Sequence, residues 1–495
     1  MLHDLKSNSN IQKVQDVFSN DSDRSLENNL IETSKSFNSS LIIKKLAGKK
    51  EKGIEPYNLF NAIVFLAFMD ILSVFGMFGS KKKNIAAYSK DSYYRHQNNE
   101  GINWRSIHYE YVKIFIKKVK ENSDLSTVNL PSCLICDDTT LEKTGATMEG
   151  ISRVFDHSTR RYVLGYKGLF LNYFDGKSII PLNFSLHCEQ INNVEQPYGL
   201  TAKELKNRYD SCSAEKSYGG KRKSEIETDK ISNMIEMIKQ TCSQGIEADY
   251  LLLDSWFVCE KVLQSVKVSG NGKMHVLGIW KNNNQKVEYN GIEYSIKRLI
   301  AQFERKHIAY SKAYKSKYIE IVVKYKGHEV KLFILNYKNS NHQQILLTTN
   351  TKLNFNQAMK IYAIRWSIEV FFKETKQHLG LGKCQSQNFN AQIASTTITC
   401  IRFIMLALRK RFSAYETIGG LFKESKAEML EMIVADKILK IIIDLLKKIF
   451  QLQNLTIEKV IELLYQNPQL AKLLEMASDY GEKNKSKNKK LVFGN

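Results

Sequence analysis

Two short stretches, SCLICDD at 132–138 and DYLLLD at 249–254, are apolar almost throughout and end in acid. A strand that is apolar on both faces has no solvent side, so it belongs inside a sheet covered by helices. Residues 166–173 and 178–187 read as two strands of a hairpin turning at Asp175-Gly176. Helical periodicity follows at 230–244 and 255–269, with a further strand at 274–280. The order strand, strand, strand, helix, strand, helix, strand predicts an α/β fold, with Asp138 and Asp254 at strand ends.

A third acid stands in a different setting. In KIYAIRWSIEVFFKETKQHLG, 360–380, Ile361, Ile364, Ile368, Phe371, Phe372 and Leu379 recur at helical spacing and form an apolar face. At about 100° per residue, Tyr362, Arg365, Glu369, Lys373 and Lys376 share a narrow arc elsewhere on the wheel. One carboxylate thus sits among three cations and a phenol, beside a buried stripe. An ordinary amphipathic helix with a Glu369–Lys373 pair is the blander alternative.

The spacing of Tyr362, Arg365, Glu369 and Lys376 resembles the signature of the insertion-sequence-four family of DDE transposases, without departure. Asp137-Asp138-Thr139-Thr140 resembles that family's first motif, in which the residue before the threonine pair binds metal, and this selects Asp138. Asp137, pointing to the other side of an extended strand, is its rival. Asp254 in LLLDSWF matches the second motif.

The resemblance implies a ribonuclease H-like catalytic core, with which the order of elements agrees. It implies cut-and-paste chemistry on double-stranded DNA: nicking, a hairpin intermediate, reopening and strand transfer. Asp138, Asp254 and Glu369 would be catalytic and would hold two Mg²⁺ ions, Mn²⁺ substituting, about 4 Å apart over the phosphodiester. Arg365 and Lys376 would grip phosphates of the transposon ends, and Tyr362 would hydrogen-bond one near the scissile bond. Lys373 is an additional backbone contact or simply a partner of Glu369. A hairpin needs a base displaced onto an aromatic ring, for which Trp280 is a candidate, core packing being its other reading.

Composition agrees with a polyanionic partner. The 495 residues carry 73 Lys and Arg against 51 Asp and Glu, a formal charge of +22. The eight cysteines are scattered, and the lone CxxC at Cys133 and Cys136 has no second pair at zinc-finger spacing. They read as buried thiols of a reducing cytosol. The only long hydrophobic run, 58–79, is broken by Asn58, Asn61 and Asp70 and reads as buried helix rather than a membrane span. The expected location is the cytoplasm, and no glycine-rich phosphate loop points to nucleotide hydrolysis.

The expected organisation is a helical region at 1–130 that binds transposon ends, a core at 131–280 and 345–410, and a β-rich insertion at 281–344. A helical region at 411–495, suited to dimerisation, completes it. Two basic helices near 89–120 suit either a helix-turn-helix reader or a plain helical bundle with Lys outside, and the resemblance implies DNA contact by Tyr94, Arg95, Trp104 or Arg105. Lys221 and Arg222, with Lys223 in a polar stretch after Gly219-Gly220, could track a backbone. His187 reads as a packed histidine. Synapsis of two ends calls for a homodimer. The competing functions are a catalytically silent DNA-binding protein derived from a transposase and a structure-selective metal nuclease.

Overall fold

The computed structural model describes residues 30–47, 53–79, 88–122, 130–191, 195–281, 285–303, 308–336, 343–412 and 417–429. Of the amino-terminal region, Leu30–Ser36 and Ser40–Ala47 are helical; the Lys81-Lys82-Lys83 run and the chain beyond 429 lie outside the described residues.

The apolar strands lie where their composition demands. β1 (Cys133–Glu142) and β5 (Tyr250–Leu253) are parallel neighbours in the middle of one twelve-stranded sheet, and both are buried where they pair. β2 (Ser152–Asp156), β3 (Arg161–Phe174) and β4 (Ile179–His187) stand on the far side of β1, β3 running antiparallel to it. β6 (His275–Trp280) continues parallel to β5. The hairpin turns at Asp175-Gly176 as expected, Gly176 taking φ 96° and Asp175 accepting from the amides of Lys177 and Ser178. The short strand β2 had no distinct sequence signal.

The expected insertion is sheet as well, and it extends the same sheet. β7 (Lys286–Tyr289), β8 (Ile292–Ser295), β9 (Ala309–Ser311), β10 (Ser316–Tyr325), β11 (His328–Asn336) and β12 (Gln343–Thr348) belong to it. β12 joins β6 antiparallel, so the chain returns to the main sheet at 345–348. The helix Ile296–Phe303 lies between β8 and β9, unforeseen because its apolar positions Ile296, Leu299 and Ile300 fall in a β-rich context.

Four helices position the site: α1 (Trp104–Asn122), α2 (Lys230–Ser243), α3 (Ser367–Glu374) and α4 (Phe389–Arg411). α2 starts at Asp229, whose side chain accepts the Ser232 amide, and buries Met234, Met237 and Ile238. α3 buries Phe371 and Phe372, each ring 5.5 Å from that of Phe170 on β3. α4 is long and apolar enough to cross a membrane, yet 94% of its apolar window is buried inside the protein. Its buried polar residues, Asn390, Gln392, Thr396, Thr397, Thr399 and Arg402, hid it from a search for unbroken hydrophobicity.

The 58–79 run is buried helix, as its composition suggests: Pro56–Phe65, a 3₁₀ turn Leu66–Met69 stopped by left-handed Asp70, and Val74–Gly79. Buried Arg402 ties it to the rest. Its guanidinium donates to the carbonyls of Ile63, Val64 and Leu379, satisfying orphan groups at the ends of two helical segments at once.

Candidate active site

The expected helix 360–380 is four segments rather than one. Phe355–Ala363 gives way to a 3₁₀ turn at Ile364–Trp366, α3 follows, and Thr375–Leu379 is a turn of π-helix ended by left-handed Gly380. The tight turn and the wide turn depart from the single pitch that the ideal wheel assumes. Arg365 sits in the first and Lys376 in the second. The Thr375 hydroxyl, donating to Phe371 O and Phe372 O, accompanies the local widening.

Arg365 bridges two acids. Its Nη1 lies 3.0 Å from Asp137 Oδ2, and its Nη2 lies 2.8 Å from Glu369 Oε1. Glu369 therefore takes Arg365, and Lys373 stands exposed beside it. The Lys376 ammonium donates to the Thr139 hydroxyl at 2.7 Å. The Tyr362 hydroxyl donates to Leu253 O at 3.3 Å, beside Asp254, and burial pushes its pKa well up.

Alternation along β1 separates its paired acids. Asp137 faces α3 and Arg365, while Asp138 Oδ2 accepts from Lys230 Nζ, at the start of α2, at 2.6 Å. Burial pushes the Asp137 carboxyl up to about 7; the Asp138 amide and Arg365 oppose this, and Asp138 and Asp254 add repulsion. Asp137, not Asp138, is thus the β1 acid that shares a face with Glu369. Asp254, just past β5, accepts the Ser255 amide at 2.6 Å.

All four carboxylates line one cleft of about 920 Å³, together with Lys376, Lys230, Lys167 and Trp256. An all-oxygen donor set of this kind suits Mg²⁺ or Mn²⁺. Among the described residues no three His, Cys, Asp or Glu side chains close around one point, and Arg365 stands between Asp137 and Glu369. The donors fit such ions in kind, and holding them requires Arg365 to release the acids.

Several expected DNA contacts are committed elsewhere. Trp280 is 2% exposed, its ring edge-on to Tyr325 at 4.9 Å, so it cannot receive a displaced base. Arg105 clamps Glu225 through two bonds of 2.8 and 3.0 Å and reaches Asn183, which fastens α1 to the core. Trp104 is buried. Arg222 is buried over the Phe184 ring and paired with Glu225 at 3.2 Å, and Lys223 bridges Glu149 and Asp210. The basic triple lies in a short helix, Tyr218–Ser224, and of its three cations Lys221 alone is exposed. Arg95 is exposed on the helix Lys90–Asn98. His187 is buried with both ring nitrogens engaged, by Ser185 and Thr228 O. Cys133 and Cys136 are buried free thiols.

Sequence reasoning missed Trp256, whose ring is 65% exposed in the cleft with Lys281 Nζ 3.4 Å from its centroid. The signal was available, since a tryptophan two residues past a strand-end acid is rarely needed for packing. It also missed Lys230 and Lys167, which show in sequence only as cations near a helix start and within a strand.

Residues 213–413 match the model of the family described as "Archaeal putative transposase ISC1217". The matched span contains Asp254, Tyr362, Arg365, Glu369 and Lys376 and begins after Asp137 and Asp138. Over that span it supports a relationship to DDE transposases. No curated protein matches the chain.

Proposed function

We propose that this chain is a cut-and-paste DNA transposase whose metal-holding acids are Asp137, Asp254 and Glu369. The observation that carries the reading is the convergence of three distant segments on one cleft, where these acids meet Arg365, Lys376 and Tyr362. The order β4-β3-β1-β5-β6, with β3 alone antiparallel to its neighbours β1 and β4 and with β1, β5 and β6 parallel, supports reading the core as ribonuclease H-like. The insertion-sequence-four signature and a homodimer that joins two ends belong to the same proposal.

When bound, a pair of divalent cations supplies charge neutralisation for in-line displacement at phosphorus. The protein's own groups supply position. Arg365 exchanges its two carboxylates for a phosphate of the incoming strand, in forked geometry. Lys376, held by Thr139, presents a point charge beside it. Tyr362, its proton firmly held, donates near the bond that breaks. Trp256, rather than Trp280, is the surface on which a base displaced during hairpin formation stacks.

The test supplies DNA carrying the ends that flank the chain's own gene, with Mg²⁺ or Mn²⁺. A transposase yields nicks, hairpins and strand-transfer products. A structure-selective nuclease yields nicks alone, and a silent derivative binds and cuts nothing.

A further inference from the structure

Three buried lysines invite comparison. Lys143 fills all its donors, with Gly382 O, Cys384 O and Gln392 Oε1 at 2.8 to 3.0 Å. Lys331 has Leu353 O at 2.9 Å and the Glu320 carboxylate at 2.6 Å. Lys167, on β3, is 2% exposed and has a single hydrogen bond among the described residues, to Thr140 Oγ1 at 3.1 Å. An ammonium has three donors, and a desolvated one without an acceptor or a counter-charge is costly.

What faces Lys167 is the cleft, whose wall it forms. No carboxylate lies within 4.0 Å of it or of Lys376 among the described residues. Asp156, in the same wall, feels the Lys167 charge at longer range and makes its hydrogen bonds within its own turn, to Ser158 and Thr159. Lys167 stands opposite Thr140 in the β1–β3 register, on the α2 face, and Lys376 reaches Thr139 from the α3 side. The two ammonium groups bracket the threonine pair from both faces. Burial holds Lys376 below its usual range and Lys167 adds to the effect, against Asp156. Two unpaired cations this close are stabilised by an anion between or beside them.

We propose that Lys167, with Lys376, forms a phosphate-binding subsite at the threonine end of the cleft, which takes a backbone phosphate of the DNA strand. This rests on the transposase reading for the source of the phosphate. The chemistry alone would also suit free phosphate.

The experiment measures equilibrium binding of a duplex bearing the gene's flanking ends, in EDTA, across a range of salt. Lys167→Met is expected to bind about tenfold more weakly and to lower the salt slope by about 1. One methylphosphonate position should cost the wild type about tenfold and cost Lys167→Met nothing further. Lys167→Arg should restore both effects. Inorganic phosphate at millimolar concentration should compete only weakly; displacement of the duplex by it would assign the subsite to free phosphate and overturn the proposal. If wild type and Lys167→Met share one slope and one methylphosphonate profile, the subsite is refuted while DNA binding stands. If the wild type does not bind duplex at low salt, both readings fall together. Should Lys167→Met not fold, Lys167→Gln keeps a donor for Thr140 and carries the same comparison.

Discussion

Asp137 and Asp138 adjoin in sequence and engage opposite partners, Arg365 at 3.0 Å and Lys230 at 2.6 Å. The motif resemblance selects Asp138, whereas the face of the strand favours Asp137. Losing one carboxylate that holds a catalytic cation costs several kcal/mol in the transition state, about a thousandfold in rate. Asp137→Asn should therefore abolish end cleavage, as should Asp254→Asn and Glu369→Gln, with end binding retained. Asp138→Asn, which loses only the Lys230 pair, should cost about tenfold or less. Rates from single-turnover cleavage decide the ranking, and the reverse order would return the role to Asp138.

Arg365 and a divalent cation compete for the same carboxylates. Without DNA, Arg365→Ala should bind Mn²⁺ more tightly than the wild type, by calorimetry, because two acids are released from a guanidinium. The same variant should bind ends more weakly, with a salt slope lower by about 1. Unchanged Mn²⁺ affinity would mean that the Asp137–Arg365–Glu369 bridge does not govern access to the acids.

The core was legible because buried strands and amphipathic helices are local patterns. SCLICDD and DYLLLD gave the two central strands. What failed was everything that depends on where a side chain's charge is spent. Arg105, Arg222 and Lys223 look like solvent cations in sequence and are consumed by Glu225, Glu149 and Asp210, partners that charge counting along the chain does not assign. The 3₁₀ and π turns around Glu369 were also invisible, because periodicity assumes one pitch throughout.

Arg105 accordingly should matter for folding rather than for DNA. Its paired bonds to Glu225 are mostly buried, so Arg105→Ala should destabilise the protein by about 2–3 kcal/mol. Urea titration measures this. The folded variant should bind ends with the wild-type salt slope, and a slope reduced by a full phosphate contact would restore Arg105 to the interface.

Acid should weaken the fold through buried histidines. His108 donates to Pro181 O, and burial lowers its pKa to about 4, Arg105 adding to the effect. The unfolded chain holds its histidines near 6.5, so between about 6.5 and 4 it takes up a proton that the folded chain refuses. Stability is therefore complete above pH 6.5 and falls as pH drops towards 4, by up to about 3 kcal/mol from this group. His187, lowered to about 4 by burial, acts in the same direction. Comparing urea midpoints at pH 7.5 and 5 for wild type and His108→Gln isolates the contribution; equal acid sensitivity in the two would remove it.

Trp256 and Trp280 separate stacking on DNA from packing in the core. Trp280 is enclosed against Tyr325, so Trp280→Ala should cost about 3–5 kcal/mol of stability. Trp256 is open to the cleft under Lys281, so its removal should hardly change the melting temperature. Stacking of one base on an aromatic ring contributes about 1–3 kcal/mol, so Trp256→Ala should form hairpin about tenfold more slowly. The first nick precedes base displacement and should keep its rate. A 2-aminopurine placed at the end of the cleaved strand would report the difference directly, its fluorescence changing on wild-type protein and not on the variant. If nicking and hairpin formation slow together, Trp256 acts in general binding and the displaced base is held elsewhere.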